Sequence, residues 1–192
     1  MIRLFFGLPL PEACRARLAA IAHGLPGARF IPPENYHITL RFIGEVDEGR
    51  AEEIAAAMDR LAHPAVAVRL SGLGVEGARH RAATLWAEAD PTPQLAALQD
   101  KVERLCRAAG CAAETRRFRP HVTLARLKAT PPARLQDYLA AHGLATCPPF
   151  SVDAVVLYSS ILTPRGSLYT EEMRFPLTAG ALPSARTAGE PP

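Results

Sequence analysis

Several common signals of metal-binding, membrane and secreted proteins are absent from this chain of 192 residues. Its four cysteines form no CxxC pair, and no grouping of cysteine and histidine has zinc-finger spacing. This pattern predicts reduced thiols in a cytoplasmic protein. No run of about 20 apolar residues is present, and the N-terminus lacks the pattern of a signal peptide. Neither a membrane span nor secretion is therefore expected.

Lysine is also scarce, since Lys101 and Lys128 are the only lysines among 22 basic residues. Arginine suits phosphate well because its planar fork offers paired donors, but a GC-rich genome explains the same bias. The net charge of +3 does not by itself indicate a nucleic-acid partner. Aromatic residues make up only 6% of the chain, so aliphatic residues must fill the core of a soluble globular domain.

Hydrophobic periodicity and turn residues predict helices alternating with strands. Predicted helices begin near Pro11, Asp47, Thr92 and Pro132. Predicted strands cover residues 2–8, 29–31, 36–43, 66–75, 83–89, 121–127, 150–159 and 167–175. This order indicates an α+β protein. We expect a single domain over residues 1–178, followed by a disordered tail over residues 179–192 that is rich in Ala, Pro and Gly.

One short motif occurs twice, as NYHITL and, far downstream, as PHVTL. Side chains alternate along a strand, so His37 shares a face with Thr39, and His121 shares a face with Thr123. An imidazole titrates near pH 6.5, so at neutral pH one ring can take a proton from water while the other gives one to a leaving oxygen. The threonine hydroxyls could donate hydrogen bonds to phosphoryl oxygens. The doubled motif therefore predicts a site for phosphoryl chemistry.

Three arginines and one tyrosine are candidate substrate contacts. Arg126 follows HVTL by two positions and is predicted to contact phosphate on the His121 face. Arg119 is predicted to share that face, and Arg41 is predicted to share the face of His37. Tyr169, on the last predicted strand, could reach a base or a phosphate. Surface positions are predicted for the remaining histidines, which are His23, His63, His80 and His142. 

With these motifs, the chain resembles the 2H phosphoesterase superfamily, specifically the RNA 2′,3′-cyclic phosphodiesterases, also called 2′-5′ RNA ligases. The matching segments span nearly the whole chain except the tail: RLFFGLPLP (3–11), PPENYHITLRFIGEV (32–46), LSGLG (70–74), FRPHVTLARL (118–127) and LYSSILTPRGSLY (157–169). The resemblance implies a bilobal fold with pseudo-twofold symmetry, in which duplicated antiparallel sheets carry outer helices. It also implies a central cleft that holds both motifs.

The resemblance further implies hydrolysis of RNA or nucleotide 2′,3′-cyclic phosphate ends to a 2′-phosphate, with no metal or cofactor. By the family pattern, His37 is the general acid, His121 is the base that activates water, and Thr39 and Thr123 hold the phosphate. The residues alone leave the order of the two histidines open. They also leave open 2′-5′ ligation of RNA ends, a metal hydrolase, and a non-catalytic module that binds nucleotides or RNA phosphates. No membrane and no obligate protein partner are expected.

Overall fold

The computed structural model describes residues 1–77, 83–164 and 166–179. Four α-helices lie within these residues: α1 Glu12–Ala19, α2 Glu48–Met58, α3 Pro93–Ala108 and α4 Pro132–His142. The nine strands found there are β1 Ile2–Pro9, β2 Ala28–Phe30, β3 His37–Val46, β4 Val66–Glu76, β5 Thr84–Ala89, β6 His121–Leu127, β7 Thr146–Val152, β8 Ala154–Thr163 and β9 Gly166–Pro176. His80 and the predicted tail beyond Ala179 lie outside the described residues.

The strands form one antiparallel sheet in the order β7-β4-β5-β6-β3-β1-β8-β9, and β2 pairs with β6. Two four-stranded halves meet at β6 and β3, the strands that carry the two motifs. The register pair that joins the halves is Ile38 with Val122. The predicted α+β antiparallel architecture is confirmed. Each half has four strands, with a motif strand at its inner edge, and the two halves form one continuous sheet.

The helices and one face of the sheet build the main hydrophobic core. Ile38 and Val122 are fully buried in it, together with Ile54 of α2 and Leu98 of α3. Because side chains alternate along a strand, the residues on either side of Ile38 and Val122 point away from this core. These neighbours are the motif histidines and threonines. None of the described helices is long and apolar enough to cross a membrane.

A β-bulge interrupts the alternation just after each motif. On β3, Thr39 pairs with Gly7 while Arg41 pairs with the neighbour of Gly7, so Leu40 is an extra residue. On β6, the pairing with β5 shifts in the same way at Leu124. A bulge turns the following side chains to the opposite face of the sheet. The two bulges therefore decide which later residues of each strand can reach the motif histidines.

One predicted strand is divided in the structure. The segment predicted over residues 150–159 is divided between β7 and β8, which are separated by Asp153. β7 already begins at Thr146. Pro148 and Pro149 lie inside β7, ahead of the strand that was predicted to begin at residue 150. Proline cannot donate a backbone hydrogen bond, but β7 lies at the edge of the sheet and tolerates it.

Candidate active site

The two motifs lie next to each other on the face of the sheet opposite the helices. Because β3 and β6 run antiparallel through the pair Ile38 and Val122, the flanking residues cross over. His37 lies toward Thr123, and Thr39 lies toward His121. The charge of His121 also acts on the His37 imidazole, which places the two rings within electrostatic reach. The junction of the two half-sheets thus gathers two imidazoles and two hydroxyls.

Both imidazoles are oriented through Nδ1. In His37 this atom lies 2.8 Å from the carbonyl oxygen of Asn35, and in His121 it lies 2.7 Å from the carbonyl oxygen of Arg119. A carbonyl oxygen only accepts, so Nδ1 carries the hydrogen in both rings. Proton exchange is left to the Nε2 atoms. In His37, Nε2 lies 3.1 Å from the hydroxyl oxygen of Thr39.

Aromatic rings surround His37. The ring centroids of Phe5, Tyr169 and Tyr158 lie 4.7, 5.2 and 5.7 Å from that of His37. Gly7 leaves space for this packing, since a Cβ atom there would lie 3.3 Å from the His37 ring. The imidazole therefore sits in a largely apolar wall with its Nε2 edge toward Thr39.

His121 has a matching aromatic neighbour on the strand next to its own. The Trp86 ring lies 4.6 Å from the His121 ring, and the Arg119 guanidinium lies 5.4 Å from the centroid of Trp86. Trp86 is a buried residue that also supports the site. Each motif histidine thus packs on an aromatic residue of the adjacent strand.

Burial lowers the pKa of both histidines. For His37, desolvation is the main cause and the charge of His121 adds to it, so the pKa falls to about 4 although the Asn35 carbonyl opposes the shift. For His121, desolvation again dominates and the charges of Arg126 and Arg119 add to it. Both rings are therefore mainly neutral at pH 7 in the free protein, whereas the sequence suggested one neutral and one protonated ring.

A cleft of about 310 Å³ opens over His37. Thr39, Thr123, Arg126 and Tyr169 also line it, so five of the residues predicted for the site share this cleft. Its volume falls at the lower end of the range for small-ligand sites, roughly 300–1,000 Å³. The space suits a nucleotide or the end of a chain.

Positive charge dominates this cleft. Among the described residues that line it, Arg3, Arg29 and Arg126 are basic and none is acidic. An anionic substrate is favoured by such a wall. In the described part of the chain, no group of three or more His, Cys, Asp or Glu side chains is placed to hold a metal ion.

A second pocket of about 580 Å³ lies on the side of His121. Trp86, Arg117 and Arg119 line it with the histidine. The Arg119 side chain is largely exposed and lies 4.0 Å from the carboxylate of Glu76. Arg119 is therefore placed beside His121, as predicted, and its carbonyl additionally orients the ring.

The bulges decide the side-chain directions of two predicted arginines. Regular alternation along β6 would turn Arg126 away from His121, and the extra residue Leu124 returns it to the cleft. The equivalent bulge at Leu40 turns Arg41 into the protein, so the prediction that Arg41 contacts substrate is wrong. Arg41 is only 7% exposed, and its Nε lies 2.6 Å from a carboxylate oxygen of Glu103.

Several residues of the site were not predicted from the sequence. Phe5 and Tyr158 enclose His37. Phe42 lines the cleft because the bulge at Leu40 turns its side chain there; in a regular strand it would point to the opposite face. The side-chain amide of Asn35 donates to the carbonyl of Ser167 at 2.8 Å, which ties the turn before β3 to β9. Asn35 adjoins the motif in the sequence, but the aromatic residues reach the site only through long-range pairing.

Comparison with known proteins identifies the family. The family model described as the 2′-5′ RNA ligase superfamily matches residues 9–162. The chain belongs to this family. The membership predicted from the two motifs is thereby confirmed.

Curated members of the family match most of the chain. The RNA 2′,3′-cyclic phosphodiesterase of Aeropyrum pernix is 36% identical over 154 residues, which cover 78% of this chain and 86% of that protein. The protein of the same name from Thermus thermophilus is 34% identical over 190 residues, covering 92% and 90%. The crystal structure of E. coli LigT in apo form is 26% identical, with a TM-score of 0.72, and the match covers 92% of this chain and 98% of LigT.

Proposed function

We propose that this protein hydrolyses the 2′,3′-cyclic phosphate ends of RNA or nucleotides to a 2′-phosphate. The observation that carries the proposal is the pair of imidazoles, each with Nδ1 bound to a carbonyl, which leaves Nε2 as the atom for proton transfer. The crossed threonines and Arg126 supply groups that bind the reacting phosphate. Curated relatives are named RNA 2′,3′-cyclic phosphodiesterases. The four free cysteines suit the reducing cytoplasm, where we expect the enzyme to act.

The reaction needs one proton taken and one proton given. His121 Nε2 accepts a proton from water as the water oxygen attacks phosphorus. The bond between phosphorus and the 3′ oxygen breaks, and that oxygen takes the proton from His37 Nε2, leaving the phosphate on the 2′ oxygen. The hydroxyls of Thr39 and Thr123 donate to the nonbridging oxygens, where charge must be held. Arg126 adds a positive charge at the same wall.

The general acid must first gain its proton. In the free cleft His37 is neutral at pH 7 because its pKa is about 4. A bound phosphate brings negative charge close to the ring and raises that pKa, since an opposite charge favours the protonated imidazole. Substrate binding thus prepares the acid. The carbonyl of Asn35 supports this change because it stabilises the charged ring through Nδ1.

Product identification tests the proposed activity. We expect the pure protein to convert a 2′,3′-cyclic mononucleotide to the 2′-phosphate, at the same rate with and without excess EDTA. Phosphorus NMR of the product separates the 2′- from the 3′-phosphate. Loss of activity in EDTA would favour a metal hydrolase. No turnover of this substrate or of a cyclic-ended oligonucleotide would overturn the proposal, and a new 2′-5′ linkage to RNA with a 5′-hydroxyl would reveal the reverse reaction.

The lowered pKa values predict an acidic optimum for kcat/KM, which reports the free enzyme. Activity needs one neutral and one protonated histidine. At pH values below both lowered pKa values the two rings are protonated, so His121 cannot act as the base. Above the ordinary imidazole value of about 6.5, under which both pKa values lie, the two rings are neutral, so His37 cannot act as the acid. We therefore expect a maximum between these limits and a fall of about tenfold per pH unit above them.

The pH dependence of the rate also distinguishes the free enzyme from the enzyme–substrate complex. The upper limb of kcat should lie at higher pH than that of kcat/KM, because the bound phosphate raises the pKa of the acid. Initial rates at saturating and at low substrate between pH 3.5 and 9 give both curves. A kcat/KM that is constant from pH 5 to 8 would contradict the two-histidine assignment.

A further inference from the structure

An arginine pair lies at one end of the cleft, and one of its two members, Arg29, has no role in the chemistry described above. Arg29 of β2 lies directly opposite Arg126 of β6 in an antiparallel pairing. Both side chains are exposed, and both line the cleft over His37. Like charges directly opposite each other destabilise a sheet. The pairing is therefore unfavourable in the free protein and becomes favourable when an anion lies between or beside the two guanidinium groups.

The two arginines differ in how they are held. Arg126 donates a hydrogen bond to the hydroxyl of Thr84 at 2.9 Å, and its charge acts on His121. Arg29 makes no side-chain hydrogen bond or ion pair with any residue that the structure describes, and its charge is not among those that shift His37 or His121. Arg126 thus faces the reacting centre. Arg29 lies farther from it, and its guanidinium has no hydrogen-bond or ion-pair partner among the described residues.

The chemistry of the substrate supplies a second anion at this distance. Thr123 holds the reacting phosphate in the proposed mechanism, and Arg126 lies three residues farther along β6, up to about 10 Å at roughly 3.3 Å per residue. Arg29 lies beside it, across the pairing with β2. This is the scale of one nucleotide unit. In a chain that ends in a 2′,3′-cyclic phosphate, the next phosphate is the one on the 5′ oxygen of the terminal ribose.

We propose that Arg29 binds the phosphate on the 5′ side of the terminal nucleotide, and that this contact makes the enzyme prefer RNA ends to cyclic mononucleosides. The assignment rests on the proposed function for the identity of the reacting phosphate. A guanidinium makes charge-assisted hydrogen bonds to phosphate oxygens, which are stronger than neutral ones. From this contact the RNA chain would leave the cleft along β2, on the side away from the second pocket.

A set of three substrates isolates this contact. The first is a nucleoside 2′,3′-cyclic phosphate with a 5′-hydroxyl, the second carries a 5′-phosphate, and the third is a dinucleotide with the same cyclic end. We expect the second and third to exceed the first in kcat/KM by about tenfold for the wild type. In Arg29→Gln the three values should become nearly equal, while the value for the first substrate stays within about twofold of wild type.

Two further variants control for charge and folding. Arg60→Gln removes the same charge from an exposed residue after α2 and should keep the wild-type preference. Arg29→Lys keeps the charge without the paired donors and should restore part of it. The proposal is overturned if Arg29→Gln lowers kcat/KM equally for all three substrates, or if it changes none of them.

Binding provides a readout that does not depend on turnover. Calorimetry with a nucleoside 2′-monophosphate and the matching 2′,5′-bisphosphate measures the preference for the second phosphate directly. We expect tighter binding of the bisphosphate by the wild type and loss of that difference in Arg29→Gln. If the wild type hydrolyses no cyclic substrate, the proposed function fails. The role of Arg29 is rejected separately if the wild type binds the bisphosphate no more tightly than the monophosphate, or if Arg29→Gln keeps the same difference.

Discussion

Replacing His37 or His121 with alanine is expected to lower kcat by roughly 10²- to 10⁴-fold, the usual contribution of a general acid or base. Each imidazole offers a single Nε2 for proton transfer because its Nδ1 is bound to a carbonyl. The two groups serve one transition state, so the double variant should fall little below the worse single variant. Initial rates with a 2′,3′-cyclic mononucleotide measure all three.

His23→Ala is the matched control, because His23 is exposed on the turn after α1. It should retain wild-type kcat, and thermal unfolding should show that all variants are folded. Activity within tenfold of wild type in either single motif variant would refute the paired acid and base. If the wild type itself shows no turnover while nucleotide binding survives in both variants, the protein is a phosphate-binding module.

The centre of the site could be predicted because it depends on local rules. Two copies of a histidine and a threonine spaced by one residue fix a shared face in any regular strand. Ile38 and Val122, both fully buried, confirm the apolar side of each strand. The duplication also indicated that two strands would be brought together, and the order of the sheet places them side by side.

What lies beyond each motif could not be predicted, because a bulge has no distinct signal in a single sequence. Leu40 and Leu124 are extra residues that would fit a regular strand equally well. They turn Arg41 into the protein and Arg126 toward the cleft. Counting residues from each histidine therefore placed Arg41 wrongly. It placed Arg126 correctly only because the bulge was not taken into account. The pairing of Arg29 with Arg126 depends on strands far apart in sequence and needed the fold.

Arg41→Met is expected to reduce the free energy of unfolding by about 3 kcal/mol, the scale found when one partner of a buried ion pair is removed. Arg41 Nε lies 2.6 Å from Glu103 of α3, its side chain is 7% exposed and that of Glu103 18%, and Glu114 lies 3.5 Å away. Its guanidinium also donates to the carbonyls of Phe42 and Ala112. The variant leaves the carboxylate of Glu103 without its cation, whereas Glu114 keeps Arg116, and Tm should fall by about 6–12 °C.

The matched control is Arg69→Met, which breaks an ion pair of the same 2.6 Å length with Asp90. Arg69 is 62% exposed, so water screens the pair and the loss should stay below about 1 kcal/mol. Because Arg41 lies outside the cleft, Arg41→Met should keep the wild-type KM at a temperature where it is folded. An unchanged Tm together with a raised KM would instead show that Arg41 contacts the substrate. The bulge at Leu40 would then not turn Arg41 into the protein.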